Sequence, residues 1–258
     1  MLEFVLVAEG KNDEQVIPCL VNRILCEKGE DWVKDNFDDD PERLWKWAAI
    51  EQDSLFRYTS WAHIDKLGNS YKKKLRIFHR PGEGYRTAET RKAIALYFLL
   101  RKDNPADALI LSRDLDKHPE IHRKSMEVAR EETHNKITQT FPILLATPKS
   151  VLEVWMLHGF EPENEHEQNQ LKTLRQEFGF DPCEQGHQFN SEQAKAVVIA
   201  LISATDGNKN MERRERCWTS TDLKILSNRG KGSHLANFFD EIATQLLPLL
   251  TGKPPASN

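Results

Sequence analysis

Glu9, Asp114, Asp116 and Glu153 are carboxylates whose apolar neighbours fix where they stand. Glu9 follows Phe4-Val5-Leu6-Val7-Ala8, and Asp114 and Asp116 follow Ala108-Leu109-Ile110-Leu111. Both apolar runs read as strands covered on both faces. Asp114 and Asp116 are two apart, so in extended backbone their side chains point the same way. Glu153 is the only charge in Val151-Leu152-Glu153-Val154-Trp155-Met156-Leu157, a run that reads as a buried helix. A lone carboxylate there is costly unless something stabilises it, and cation coordination is one route. Acids gathered in a low-dielectric cleft cannot all stay ionised without a cation. Hard oxygen donors favour Mg²⁺ or Mn²⁺. An isolated D-x-D is equally the chemistry of a solvated turn. Its combination with Glu9 and Glu153 favours one metal-binding centre on an α/β sheet.

The elements that must position these acids alternate. A strand is expected at Leu2 to Ala8. A helix capped by Asn12 or Asp13 follows, with Val16, Ile17, Leu20, Val21, Ile24 and Leu25 at helical spacing. Pro18 should kink or delay it. Residues 28 to 70 read as an insertion with an acidic run at 38–40 and Trp45, Trp47 and Trp61. Further strands are expected at 74–79, 108–112 and 142–146, and helices at 87–101 and 119–137. Thr147 should cap a last helix with Pro148 in its first position. This order implies a Rossmann-like, mostly parallel, doubly wound sheet over residues 1–158. Residues 159–258 read as a mainly helical region packed on it, with helices at 165–178, 191–204 and 234–247 and a frayed tail.

Composition narrows the class. At 258 residues the chain can form one large domain, or one with a substantial appendage. Charged residues are 29% and hydrophobic ones 39%, too apolar for a disordered chain. A net charge of −4 gives no global basic field, so a polyanion would need a local basic patch. Cys19, Cys26, Cys183 and Cys217 show no CxxC pairing and read as free thiols of a reducing, cytoplasmic compartment. No signal peptide and no membrane span is expected.

Glu9-Gly10 after the first strand and Asp114-Leu115-Asp116 after a later one resemble a TOPRIM domain, the fold of topoisomerases, primases and several nucleases. Val7-Ala8-Glu9-Gly10-Lys11-Asn12-Asp13 keeps a second acid four residues on. This is similar to the TOPRIM nucleases of the overcoming-lysogenization-defect (OLD) family. There, Pro148 to Glu153 would correspond to the segment with a second-metal glutamate. Gly230-Lys231-Gly232-Ser233-His234-Leu235-Ala236 resembles the late lysine motif of that family. The sequence shows no G-x-x-x-x-G-K-[ST], so no attached ATPase is expected. It looks more like small stand-alone bacterial TOPRIM proteins, some of which partner a separate ATPase in anti-phage defence.

The resemblance implies a Mg²⁺- or Mn²⁺-dependent nuclease acting on DNA or RNA. Asp114 and Asp116 would hold one ion, and Asp13 and Glu153 would help hold a second. Glu9 would be a ligand or general acid/base. Lys231 would neutralise developing charge, its bland alternative being a solvated loop lysine. A TOPRIM-fold regulatory or toxin-like subunit that mainly binds a partner ATPase is the rival reading. A receiver-type phosphoacceptor is disfavoured because the lysine–proline step it needs is missing. Oligomeric state stays open.

Other candidates carry less. Arg80, Arg86 and Arg91 flank Pro81-Gly82-Glu83-Gly84 and could contact a phosphate backbone, though a charged helix face accounts for them as well. His118 and His122, four apart, read as exposed before they read as a metal pair. The tryptophans read as core before base-stacking platforms. Met211 to Arg216 reads as an exposed helix face.

Overall fold

The computed structural model describes residues 1–52, 54–75, 84–136, 141–202 and 207–252. Strand β1 (Leu2–Ala8) leads into α1 (Lys11–Lys28) and α2 (Asp31–Asp39). Strands β2 (Trp45–Ala48) and β3 (Thr59–Ser60) follow, then α3 (Trp61–Ser70), α4 (Lys72–Leu75) and α5 (Tyr85–Leu100). Strand β4 (Ala108–Ser112), α6 (Pro119–His134) and β5 (Ile143–Ala146) come next. The remainder is helical: α7 (Leu152–His158), α8 (Glu165–Phe178), α9 (Pro182–Gln185), α10 (Ser191–Ile202), α11 (Gly207–Thr219), α12 (Leu223–Arg229), α13 (Leu235–Glu241) and α14 (Leu247–Leu250). A π-helical stretch, Ile242–Leu246, joins α13 to α14.

These elements form two compact units built from non-contiguous segments. The first holds residues 1–113, 120–146 and 240–258, and the second holds 114–119 and 147–239. The α/β character is in the first unit. Its five strands are all parallel, in the order β2-β1-β4-β5, with β3 also on β1. Strands β2 and β3 share one edge of β1, pairing with residues 2–5 and 7–8 in turn, while β4 takes the other edge. The connections run outward in both directions from β1, so the order switches between β1 and β4. In doubly wound sheets such a switch point opens a crevice at the strands' carboxyl ends.

Phe4 to Ala8, Ala108 to Leu111 and Ile143 to Ala146 are completely buried. Fully burying one such aliphatic side chain is worth about 1.5–3 kcal/mol. This is why the unbroken apolar runs mark β1, β4 and β5 so clearly. Arg101, at the end of α5, is 2% exposed and donates to the carbonyls of Ala49 and Ile50 and to the Glu3 carboxylate. It ties α5 to the turn after β2.

Several expectations change. The stretch 28–70 supplies an edge of the sheet, through β2 and β3. Asp38 and Asp39 lie in α2, with Asp40 as its C-cap. Trp45 and Trp61 are core residues, and the Trp61 indole donates to the Ser112 carbonyl at 2.7 Å. Helix α1 starts at Lys11 with Gly10 as N-cap and runs through Pro18 without a break. Of the strand expected at 74–79, Lys74 and Leu75 belong to α4 and the rest lies outside the described residues, as do Arg80 and the tail from residue 253.

Helix α7 starts at Leu152, not at Pro148. The preceding backbone is already committed: the Pro148 carbonyl accepts from Leu115 N, the Ser150 carbonyl accepts from Asp116 N, and Lys149 N donates to the Ser233 carbonyl. No helix among the described residues is long and apolar enough to cross a membrane.

Candidate functional site

In the first unit, the β1/β4 switch point is built from the residues that follow the two strands. Gly10 caps α1, and Asp13 at its third position reaches back to accept from Gly10 N at 3.2 Å. The other Asp13 oxygen accepts from Ser112 Oγ, the last residue of β4, at 2.5 Å. Asp13 is only 6% exposed. Its carboxylate therefore spans the switch point and locks the start of α1 to the end of β4.

Glu9 stands beside it, with its side chain 36% exposed and 3.3 Å from Arg113 Nε. Arg113 Nη1 lies 3.2 Å from Glu89 of α5, and its guanidinium stacks 4.6 Å over the Trp61 ring. Glu89 also meets Arg86 at 3.3 Å. Burial pushes the Glu89 carboxyl above its ordinary range. The Tyr85 phenol donates to Glu89, which pushes it up to about 12. The first unit thus holds a chain of alternating charges: Glu9, Arg113, Glu89 and Arg86. Arg91 turns elsewhere, with Nε and Nη2 at 3.0 and 2.9 Å from the Glu132 carboxylate of α6. Nothing in the sequence marked Arg113 or Glu89. The available signal was position: Arg113 is the one cation between a buried strand and the D-x-D, and Glu89 is the one acid in the first two turns of α5.

The second unit opens with the D-x-D. Asp114 is half-buried and Asp116 is exposed, with φ 49°. Ser150, whose carbonyl Asp116 N reaches at 3.0 Å, also has a positive φ of 78°. Two non-glycine residues in this sparsely populated region cost about 1–3 kcal/mol each unless their surroundings enforce it. Ser191, the first residue of α10, donates to Asp116 Oδ1 at 3.4 Å and lies 3.3 Å from Ser150 Oγ. The left-handed residues at Asp116 mean that the two acids are not arranged as in a plain extended strand.

Glu153 is the second residue of α7 and is half-buried. Among the described residues its carboxylate has neither an ion pair nor a hydrogen bond. Partial exposure, not a partner, is what accommodates it here. Lys231 is exposed on a short 3-10 turn, Gly230–Ser233, whose last residue is fully buried. The Ser233 carbonyl accepts from Lys149 N and from the Trp155 indole, and Ser233 Oγ pairs with His158 Nε2. The glycine-lysine-glycine-serine run is therefore a docking turn that leaves its lysine in solvent. Met211 to Arg216 differs from expectation too. Arg213 is 2% exposed, and its Nε is 2.8 Å from buried Glu167.

The donor chemistry fits a hard cation unevenly. Glu9 and Asp116 offer accessible carboxylate oxygens. Asp13 already accepts at both oxygens and is placed as a structural cap. Among the described residues, no three His, Cys, Asp or Glu side chains gather closely enough to form a ready-made cage. His118 is exposed, and His122 lines a cavity of the first unit. None of the four cysteines is in a disulfide. Comparison with known families, characterised proteins and solved structures finds no match for this chain.

Proposed function

We propose that the protein is a TOPRIM-type, Mg²⁺- or Mn²⁺-dependent phosphodiester hydrolase acting on DNA or RNA. One observation carries the reading. The sheet's order switches between β1 and β4, and acids follow both strands: Glu9 directly after β1, and Asp114 and Asp116 two and four residues after β4. Function in this fold class concentrates at that end of the sheet.

Glu9, Asp114 and Asp116 are the proposed ligands. Asp13 is assigned to holding α1 against β4, and Glu153 to a supporting carboxylate. A bound divalent ion would supply charge neutralisation and a more acidic water. The chain's own contribution is to position and to move protons. Glu9 is accessible enough to take a proton from an attacking water, with Arg113 Nε 3.3 Å away. Water oxygen bonds to phosphorus, the phosphorus–oxygen bond to the leaving strand breaks, and the leaving oxygen takes up a proton. Arg86 and Lys231 are candidates for phosphate contacts.

The test is a panel of supercoiled DNA, linear DNA, single strands and structured RNA, incubated with Mg²⁺ or Mn²⁺. The native chain should cut at least one, and Asp114→Asn should lose about 100-fold or more in rate. No cleavage of any substrate, with or without a candidate ATPase partner, would replace the enzyme by the rival reading of a partner-binding subunit.

A further inference from the structure

A cavity of about 340 Å³ in the first unit is lined by Gly84, Tyr85, Arg86, Arg113, His122 and Ser125. Its two guanidinium groups are largely buried. The side chains of Arg86 and Arg113 are 14% and 12% exposed, and they share one carboxylate inside, Glu89. Glu9, the other partner of Arg113, is more exposed. Inside the cavity the two cations meet at one buried acid, Glu89, whose charged form is penalised by burial.

Two further features point the same way. Helix α5 has 16 residues and begins at this cavity, with Gly84 as N-cap and no side-chain cap hydrogen bond. The first amides of a helix lie at the positive end of its dipole, and of these Thr87 N already donates to the Gly84 carbonyl at 3.0 Å. Gly84 has φ −64°, which any residue tolerates, so glycine is not needed there for the backbone. A Cβ at Gly84 would lie 3.0 Å from Ser125 Oγ, so an alanine there would need the serine to give by a few tenths of an ångström. Ser125 and His122 add polar groups from α6. Ser125 Oγ now donates to the Ile121 carbonyl and can turn to a ligand.

We infer that this cavity is a phosphate-binding pocket that receives a phosphate monoester. Arginine forks and helix N-terminal amides together match a tetrahedral oxyanion better than a planar carboxylate. The cavity has room for a phosphate with the sugar that carries it. Arg113 joins it directly to Glu9. If the enzyme reading holds, the ligand is the terminal phosphate of a nucleic-acid strand, and that identification rests on that reading. The pocket itself does not.

Calorimetry in metal-free, chelated buffer tests it, with inorganic phosphate, a free mononucleotide, and matched oligonucleotides bearing a 5′-phosphate or a 5′-hydroxyl. Inorganic phosphate should bind with a Kd below about 1 mM. Arg86→Gln and Gly84→Ala, checked for native folding by thermal melting, should each weaken it about tenfold or more. Gly84→Ala keeps every charge and changes only the space. Asp114→Asn should bind phosphate as the native chain does. Preference for the 5′-phosphorylated oligonucleotide assigns the strand terminus as the source. Equal binding of the mononucleotide assigns a free nucleotide and leaves the pocket in place. Binding of phosphate without cleavage of any nucleic acid overturns the enzyme reading and keeps the pocket. Absence of phosphate binding below about 10 mM, or equal binding by both pocket variants, overturns the pocket.

Discussion

His158 is fully buried, and both ring nitrogens have partners. Nδ1 faces the Cys183 carbonyl at 2.7 Å, which can only accept, so Nδ1 carries the proton and Nε2 faces Ser233 Oγ. Burial holds the ring neutral, down to about 4 from an ordinary 6.5; the Cys183 carbonyl opposes this, and the nearby His187 and Arg229 push the same way as burial. A base with a depressed folded value contributes stability that is full above the unfolded value and is lost as pH falls. The window is therefore about 6.5 down to 4. At about 1.4 kcal/mol per pH unit, the loss is on the order of 3 kcal/mol. Urea denaturation from pH 7 to 4 should show a slope that His158→Gln flattens. Equal slopes would show that His158 does not carry the acid sensitivity. Its burial was not legible beforehand, because a histidine in an apolar helix run has no marker for the acceptor and the hydroxyl donor it meets. The same holds at the candidate site. Glu9 and the D-x-D could be picked out by their strands, but Arg113 and Glu89 depend on which helix lies against which strand end. Arg213 resembles ordinary surface charge until Glu167, 46 residues away, arrives opposite it.

Helices α7 and α11 approach each other more closely than side chains allow. A Cβ on Gly159, the C-cap of α7, would lie 1.7 Å from the Cys217 carbonyl oxygen of α11. That obstacle is backbone, so Gly159→Ala must displace a helix. It should cost about 3 kcal/mol or more, at the upper end of overpacking. Gly179→Ala offers the contrast. Gly179 caps α8 at φ 73° with nothing within 4 Å of a new Cβ, so only local strain of about 1 kcal/mol is at stake. Paired denaturation curves rank the two, and equal losses would refute the close approach. At this scale β1 and β4 were legible to the residue, and α8 as well, since long apolar runs or clear caps define them. Strand β2 was hidden because Trp45-Lys46-Trp47-Ala48 has a mixed pattern and a sheet edge tolerates it. Helix α7 was misplaced because Pro148 looks like a first-turn residue. Long-range hydrogen bonds from Leu115, Asp116 and Lys149 hold that backbone out of the helix instead.

The first unit begins and ends with opposite ends of the chain. Residues from Asp240 onward return to it after the whole of the second unit has been made. Strand β5 pairs with β4 on one side, and its other edge would leave backbone groups open. Glu241 closes that edge: Oε2 accepts from Leu145 N at 2.9 Å, and Oε1 lies 2.9 Å from Arg130 and 3.7 Å from Arg123 of α6. One side chain thus satisfies a strand amide and two arginines on the crossover helix. Only 15% of it is exposed, so its removal takes a buried partner from the Leu145 amide, from Arg130, which keeps the Ile143 carbonyl, and from Arg123, which keeps Glu127. Glu241→Ala should cost about 3 kcal/mol, the lower end of the range for breaking a buried pair. Glu241→Gln keeps an acceptor for Leu145 N and should lose less. Asp240→Ala, at an exposed neighbour, should stay within about 0.5 kcal/mol. A chain ending at Phe239 loses the edge closure and the cover of α1 together, and should melt without cooperativity or associate through the opened edge of β5. Urea denaturation of the three substitutions, with light scattering on the truncated chain, checks this. If Glu241→Ala matches the native chain, or the truncated chain melts as a stable monomer, the sheet does not depend on its last segment. If the losses fall in the stated order, the α/β unit is complete only when the final residues are in place, and the second unit folds as an insertion within it.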